Sequence, residues 1–187
     1  MFMAKKGVFV LLSVIVAASF AAPVGQAKAA CGNVQSLCNG LSVQSIGKNR
    51  VCISSCGTQC NSVQIGNNVV CIGANAFSDC TNIKNLTVPK QVQSVGDCAF
   101  SGCSGLSTIT LGTGTEEIGE NAFQNCPNLK TINIKSKKLN ADCVSDNAFK
   151  GVGRNVTVNV PKNKVKSYKS LFQKKGLCKQ AKVCGRF

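Results

Sequence analysis

The apolar positions of this chain recur with a long period, not with the period of one helix or one strand. The pair Ala-Phe appears at Ala76-Phe77, Ala99-Phe100, Ala122-Phe123 and Ala148-Phe149, which spaces the phenylalanines by 23, 23 and 26 residues. An aliphatic residue precedes each pair at a fixed offset: Ile72, Val95, Ile118 and Val144. Glycine follows it in three units (Gly73, Gly96, Gly119), and Ser145 takes its place in the fourth. Three positions past each phenylalanine stand Cys80, Cys103, Cys126 and, in the last unit, Val152. Beyond the cysteines the aliphatics return as Ile83, Leu86, Val88; Leu106, Ile109, Leu111; and Leu129, Ile132, Ile134. Val158 and Val160 end the series, and Val63 and Ile65 begin it one period upstream.

The alternating pair closing each unit predicts a short strand with one buried face. A unit of this length cannot enclose a core alone, so units must stack and share one. The expected fold is a solenoid of about five rungs, mainly short β-strands and loops. Phe77, Phe100, Phe123 and Phe149 should form one internal column, and Cys80, Cys103 and Cys126 a second. Rungs about 4.8 Å apart, with side chains in parallel, suit packed thiols better than disulfides. The cysteine column therefore reads as a structural ladder, not as a metal or redox array.

The unit Ile-Gly-x-x-Ala-Phe-x-x-Cys-x-x-Leu-x-x-Ile-x-Leu resembles the repeat of the BspA-like leucine-rich-repeat surface proteins of bacteria. The resemblance covers Val63 to Pro161, and the Lys-rich segment with Tyr168 that follows resembles that family's closing segment. It implies a leucine-rich-repeat solenoid, a role in adhesion or protein recognition, and no shared catalytic group. Ser145, Val152, a three-residue insertion around Lys137 to Leu139 and the extra cysteines depart from the pattern.

The ends read as a leader and two caps. Residues 1–29 have the features of a signal peptide: Lys5 and Lys6, an apolar run from Val8 to Ala22, and Ala27-Lys28-Ala29 before the cleavage point. The run is shorter than the ~20 apolar residues of a membrane span, and no second span follows. Residues 30–62 read as a cysteine-rich N-terminal cap, with Ile46-Gly47 echoing a unit start and Val51 where phenylalanine would fall. Residues 63–161 are the repeats, and 162–187 a basic C-terminal cap. In that cap Val165, Tyr168 and Phe172 share one face of a helix from Pro161 to Lys175, and Gly176 is placed to end it.

Composition narrows the chemistry. The chain has 13 cysteines and no histidine. The missing imidazole removes most zinc sites, the usual hydrolase triads and the common near-neutral general base. Export favours disulfides. Outside the ladder the candidates are Cys31, Cys38, Cys52, Cys56, Cys60, Cys71, Cys98, Cys143, Cys178 and Cys184, with the pairing open. Cys178 and Cys184 are near enough in sequence to close a small loop. Glu116, Glu117 and Glu120 could supply paired carboxylates, but they cluster at a Gly-rich turn and read as a solvated edge. No catalytic residue, metal or cofactor is expected, and the protein reads as a non-enzyme.

Two surfaces remain as candidates. The outward strand positions Gln64, Thr87, Thr110, Asn133 and Asn159 would make a flat neutral strip able to contact an extracellular protein or glycan, or serve only as β-favouring solvated residues. The net charge of +15 gathers late in the chain, with 15 basic against two acidic residues from Lys130 to Phe187. Lys162, Lys164, Lys166, Lys169, Lys174, Lys175, Lys179 and Lys182 could bind an anionic wall polymer or another polyanion, or simply keep the cap soluble. With few exposed aromatic rings expected and no tryptophan, a sugar site built on ring stacking is poorly supported. The function expected is a secreted or cell-surface, non-catalytic binding module acting through its repeat face. The alternative is a wall-associated structural protein held by its basic tail.

Overall fold

The computed structural model describes residues 42–47, 50–56 and 63–187. The leader expected over 1–29 and the candidates Cys31, Cys38 and Cys60 lie outside the described residues. In chain order the elements are β1 (Ser42–Gly47), β2 (Arg50–Ser55), β3 (Val69–Ile72), β4 (Asn85–Val88), β5 (Ser94–Val95), β6 (Thr108–Leu111), β7 (Glu117–Ile118), β8 (Thr131–Ile134) and β9 (Thr157–Val160). A 3-10 turn (Lys162–Lys164), helix α1 (Val165–Lys174) and β10 (Lys182–Gly185) complete the chain.

Each rung contributes to two sheets. The first has the order β1-β2-β3-β5-β7 and is extended by a bridge from Ile118 to Val144; the second has the order β10-β9-β8-β6-β4. Among the described residues every pairing is parallel except the β1–β2 hairpin. Parallel pairing follows from the repeat, because each strand meets its equivalent one turn later. The Ala-Phe segment makes a third hydrogen-bonded side. There the N–H groups of Asn75, Phe77 and Asp79 donate to the carbonyls of Asp97, Ala99 and Ser101, and those of Cys98, Phe100 and Gly102 donate to Glu120, Ala122 and Gln124.

Apart from Ile65, which is half-buried, the aliphatic positions and the Ala-Phe pairs of the repeat are all buried. The four phenylalanines stack almost face to face, with ring centroids 5.2, 5.3 and 5.6 Å apart. Each buried ring contributes about 1.5–3 kcal/mol through removal of apolar area from water. The glycine of the unit has a steric cause: a Cβ on Gly96 would stand 2.6 Å from the Ala74 nitrogen, and one on Gly119 2.5 Å from the Asp97 nitrogen. Two columns of left-handed residues turn each rung. One is Asn75, Cys98, Asn121 and Asn147; the other is Asp79, Gly102, Asn125 and Gly151.

The C-terminal end is closed from within the repeat geometry. Tyr168, Leu171 and Phe172 of α1 are buried, and Phe172 continues the ring column 5.0 Å from Phe149 at a tilt of 54°. The N–H of Phe149 donates to the carbonyl of Lys175, so the helix end completes the third-side ladder. Gly176 follows at φ +98°, and the Leu177 N–H donates to the Phe172 carbonyl, the bond that ends a helix in a Schellman turn.

The structure corrects the sequence reading at the two ends. Val63 to Ile65 is not a strand, although Val63 is buried. Ile46-Gly47 opens no rung, because Gly47 pairs with Arg50 in the turn of the hairpin. The rung start in the cap is Ile53, which pairs with Ile72 only 19 residues later, so this turn is shorter than the repeat that follows it. The basic tail is more than a helix: β10 adds one more strand beside β9.

Candidate functional site

The outward positions of the second sheet form two straight columns. Register places Asn85, Thr108, Thr131, Thr157 and Lys182 in one, and Thr87, Thr110, Asn133, Asn159 and Cys184 in the other. Alternation puts Leu86, Val88, Ile109, Leu111, Ile132 and Ile134 inward and leaves hydroxyls and amides outward. Four of the expected strip residues thus lie side by side. Gln64 is exposed but sits in a segment without strand pairing. Asn159 is only 3% exposed, which removes it as a contact residue. Its amide is used inside the face: Asn159 Nδ2 donates to Asn133 Oδ1 at 2.8 Å, and Asn133 Nδ2 donates to Thr110 Oγ1 at 3.0 Å. This ladder fixes the orientation of the three side chains.

The tail lysines divide into separate groups. Lys175 is tied to Asp146 at 2.8 Å with its side chain only 18% exposed. Lys164 lies over the Tyr168 ring, 5.8 Å from its centroid. Lys166, Lys169, Lys174 and Lys179 are exposed on the cap. Lys182 instead joins the outer column of the second sheet, and Lys162 sits beside the chain end, where its N–H donates to the Phe187 carbonyl.

The cysteines also fall into distinct settings. Cys80, Cys103 and Cys126 are buried in column, and their thiols are hydrogen-bonded as well as packed. Cys103 Sγ donates to the Phe77 carbonyl at 2.9 Å and Cys126 Sγ to the Phe100 carbonyl at 3.0 Å. Burial pushes the Cys126 thiol up to about 12 and raises Cys103 as well, so neither is a ready nucleophile or ligand. Cys80 is lowered by a hydrogen bond with Cys56. Of the pairing candidates, Cys52 and Cys71 form a disulfide between adjacent rungs of the first sheet. Cys98, Cys143, Cys178 and Cys184 are free thiols, so the small tail loop from Cys178 to Cys184 is not closed. Residues 178–181 form a turn and Cys184 lies within β10. Among the described residues no cluster of three or more acidic or sulfur side chains is arranged to hold a metal.

Sequence reasoning missed β10 and both left-handed columns. The signal was present in Asn, Asp and Gly at constant phase with the phenylalanines. It was obscured by Cys98, a residue type that rarely takes that conformation.

The sequence matches the BspA type leucine rich repeat region in six copies over residues 44–178. No curated protein matches the chain. Among solved structures, the pneumococcal vaccine antigen PcpA superposes with a TM-score of 0.54 at 17% identity, over 68% of this chain and 30% of that one. A Treponema pallidum leucine rich repeat protein gives a TM-score of 0.31 at 18% identity over 70% and 92% of the two chains. The chain thus spans under a third of PcpA, and the likeness is one of fold. A match of this extent, on a solenoid with the ring column and strand register described above, establishes that the chain belongs to the BspA-type leucine-rich-repeat family.

Proposed function

We propose that the protein is an exported, non-catalytic binding module that engages an extracellular partner through the outer face of its second sheet. The observation that carries this reading is the ordered strip of Thr87, Thr108, Thr110, Thr131 and Asn133, held in register across consecutive rungs and partly cross-linked by the amide ladder. A prefixed, flat array of hydrogen-bonding groups offers a partner many weak contacts with little ordering to be done on binding. The leader-like residues 1–29 support export, and among the described residues no helix is long and apolar enough to cross a membrane. The ladder thiols, raised and buried, support a binding role over catalysis.

The test is a panel of extracellular-matrix proteins and glycans presented to the mature chain and to Thr108→Tyr/Thr131→Tyr. Bulky rings on this face should abolish capture. Ser94→Tyr/Glu117→Tyr on the first sheet should leave capture unchanged. Equal loss in both variants, or in neither, rejects the second sheet as the site.

A further inference from the structure

In the chain, basic residues are gathered by position; in the fold, the acidic ones are gathered by face. All seven acidic residues lie on the first sheet, on residues flanking it, or on the Ala-Phe side. Glu117 is in β7, Glu116 precedes it, Asp142 and Asp146 flank the Val144 bridge, and Asp79, Asp97 and Glu120 are in the turns. No acidic residue stands within three positions of any strand of the second sheet.

Basic residues frame that same sheet. Lys84 and Lys130 are exposed just before β4 and β8, where their carbonyls accept N–H groups from the next rung. Lys182 is exposed in the outer column itself. At the opposite border Lys135 follows β8 and Arg186 follows β10, with their N–H groups bonded to Leu111 and Val160. Lys162 stands beside them, and the Lys135 ammonium sits 5.5 Å over the Phe187 ring. Lys138 and Lys175, by contrast, are paired with Glu116 and Asp146 on the other side of the molecule.

We infer that the second sheet is a docking surface for an extended anionic polysaccharide, its carboxylate or sulfate groups meeting the lysine borders and its hydroxyls meeting the threonine and asparagine columns. This rests on the binding face proposed above and names its ligand class. Two observations select a polysaccharide over a protein. Interfaces between proteins draw most of their affinity from apolar and aromatic anchors, whereas Phe187 is the one exposed large hydrophobic residue among those described. The strip itself is made of hydroxyls and amides, which suit a polymer rich in hydroxyls. Borders of one sign on both sides also favour a chain lying along the solenoid axis, across rungs spaced by about 4.8 Å.

The experiment measures binding of the mature protein to heparin, polygalacturonate, neutral dextran and poly-glutamate across a salt series. It compares a border variant (Lys84→Gln, Lys130→Gln, Lys135→Gln, Arg186→Gln) with a cap variant (Lys166→Gln, Lys169→Gln, Lys174→Gln, Lys179→Gln). The substitutions are on the surface, and equal urea midpoints verify folding. The border variant should lose about tenfold or more on an acidic polysaccharide, and its salt slope should flatten by several units. The cap variant should change by less than about twofold on the same scale. Thr110→Glu/Thr131→Glu should abolish binding. Dextran should not bind, and poly-glutamate should bind more weakly than the polysaccharides.

Equal losses in the border and cap variants would overturn the inference, because they would mark diffuse counterion release. Poly-glutamate binding as tight as polygalacturonate would transfer the face to acidic polypeptides and also overturn it. If no polyanion binds, while a panel protein is lost in Thr108→Tyr/Thr131→Tyr, the inference fails and the binding-face reading stands. If no ligand of any kind depends on this sheet, both fail.

Discussion

Thr115 occupies the core position that Val69 and Val92 fill in the two preceding rungs. It is fully buried and its hydroxyl has no hydrogen-bond partner. An unmet buried hydroxyl destabilises, and valine has nearly the same shape. Thr115→Val should therefore raise stability by about 1 kcal/mol, read as a higher urea midpoint at an unchanged slope. Tyr168 is the opposite case. Its hydroxyl donates to the Ser136 carbonyl and accepts the Leu139 N–H, so the insertion around Lys137 to Leu139 provides its seat. Tyr168→Phe should lower stability by about 1–3 kcal/mol, because it strands a buried N–H. The thiol ladder gives a pH signature. Burial lifts Cys103 and Cys126 above the ordinary value of 9.0, so near and above that value the unfolded chain releases protons that the folded chain retains. Stability should be whole below about pH 9 and fall as the pH rises toward 12. Urea midpoints measured across that range should show the fall, and Cys103→Val/Cys126→Val should flatten it.

Among the elements, helix α1 carries the most consequence for its length. It presents Phe172 to the end of the ring column and Lys175 to the last rung's open N–H. Phe172→Ala should cost about 3–5 kcal/mol and leave Phe149 facing solvent, which calorimetry and light scattering would register as a lower Tm and end-to-end association. Gly176→Ala should lower stability too, since φ is +98° and a Cβ would meet the Lys150 nitrogen at 3.0 Å. This helix was legible in the sequence because Tyr168 and Phe172 fall on one face and a glycine ends it. The repeat strands were legible because each unit spells the same buried pair at the same phase. The N-terminal rung was not. Its turn is 19 residues from Ile53 to Ile72 where the repeat uses 23, so a fixed period points to the wrong residues. Nor could the sequence show that Asn159 is enclosed, because its outward phase is the same as that of Thr110 and Asn133. Beside it stands Cys184 of β10, a neighbour that periodicity in the repeats does not encode.

Across the whole molecule, contacts run between neighbouring rungs, so stability should be distributed along the axis and not held in one centre. The Cys52–Cys71 bond joins the hairpin cap to the first full rung. Reducing it should release β2 and β3 first and leave the rungs from β6 to β9 intact, which hydrogen exchange under reducing conditions would resolve as faster exchange at one end only. The same one-dimensional order bears on the rings of the core. Phe77, Phe100 and Phe123 are related by an almost pure translation, with planes inclined by only 8° and 2°. The segment between two such rings is therefore a module that can be copied or cut in frame without disturbing either terminus. An extra 23-residue unit would lengthen the molecule by about 4.8 Å, adding one further row to the outer face. Lineages of this protein could thus change their reach by slippage in the gene, one row at a time.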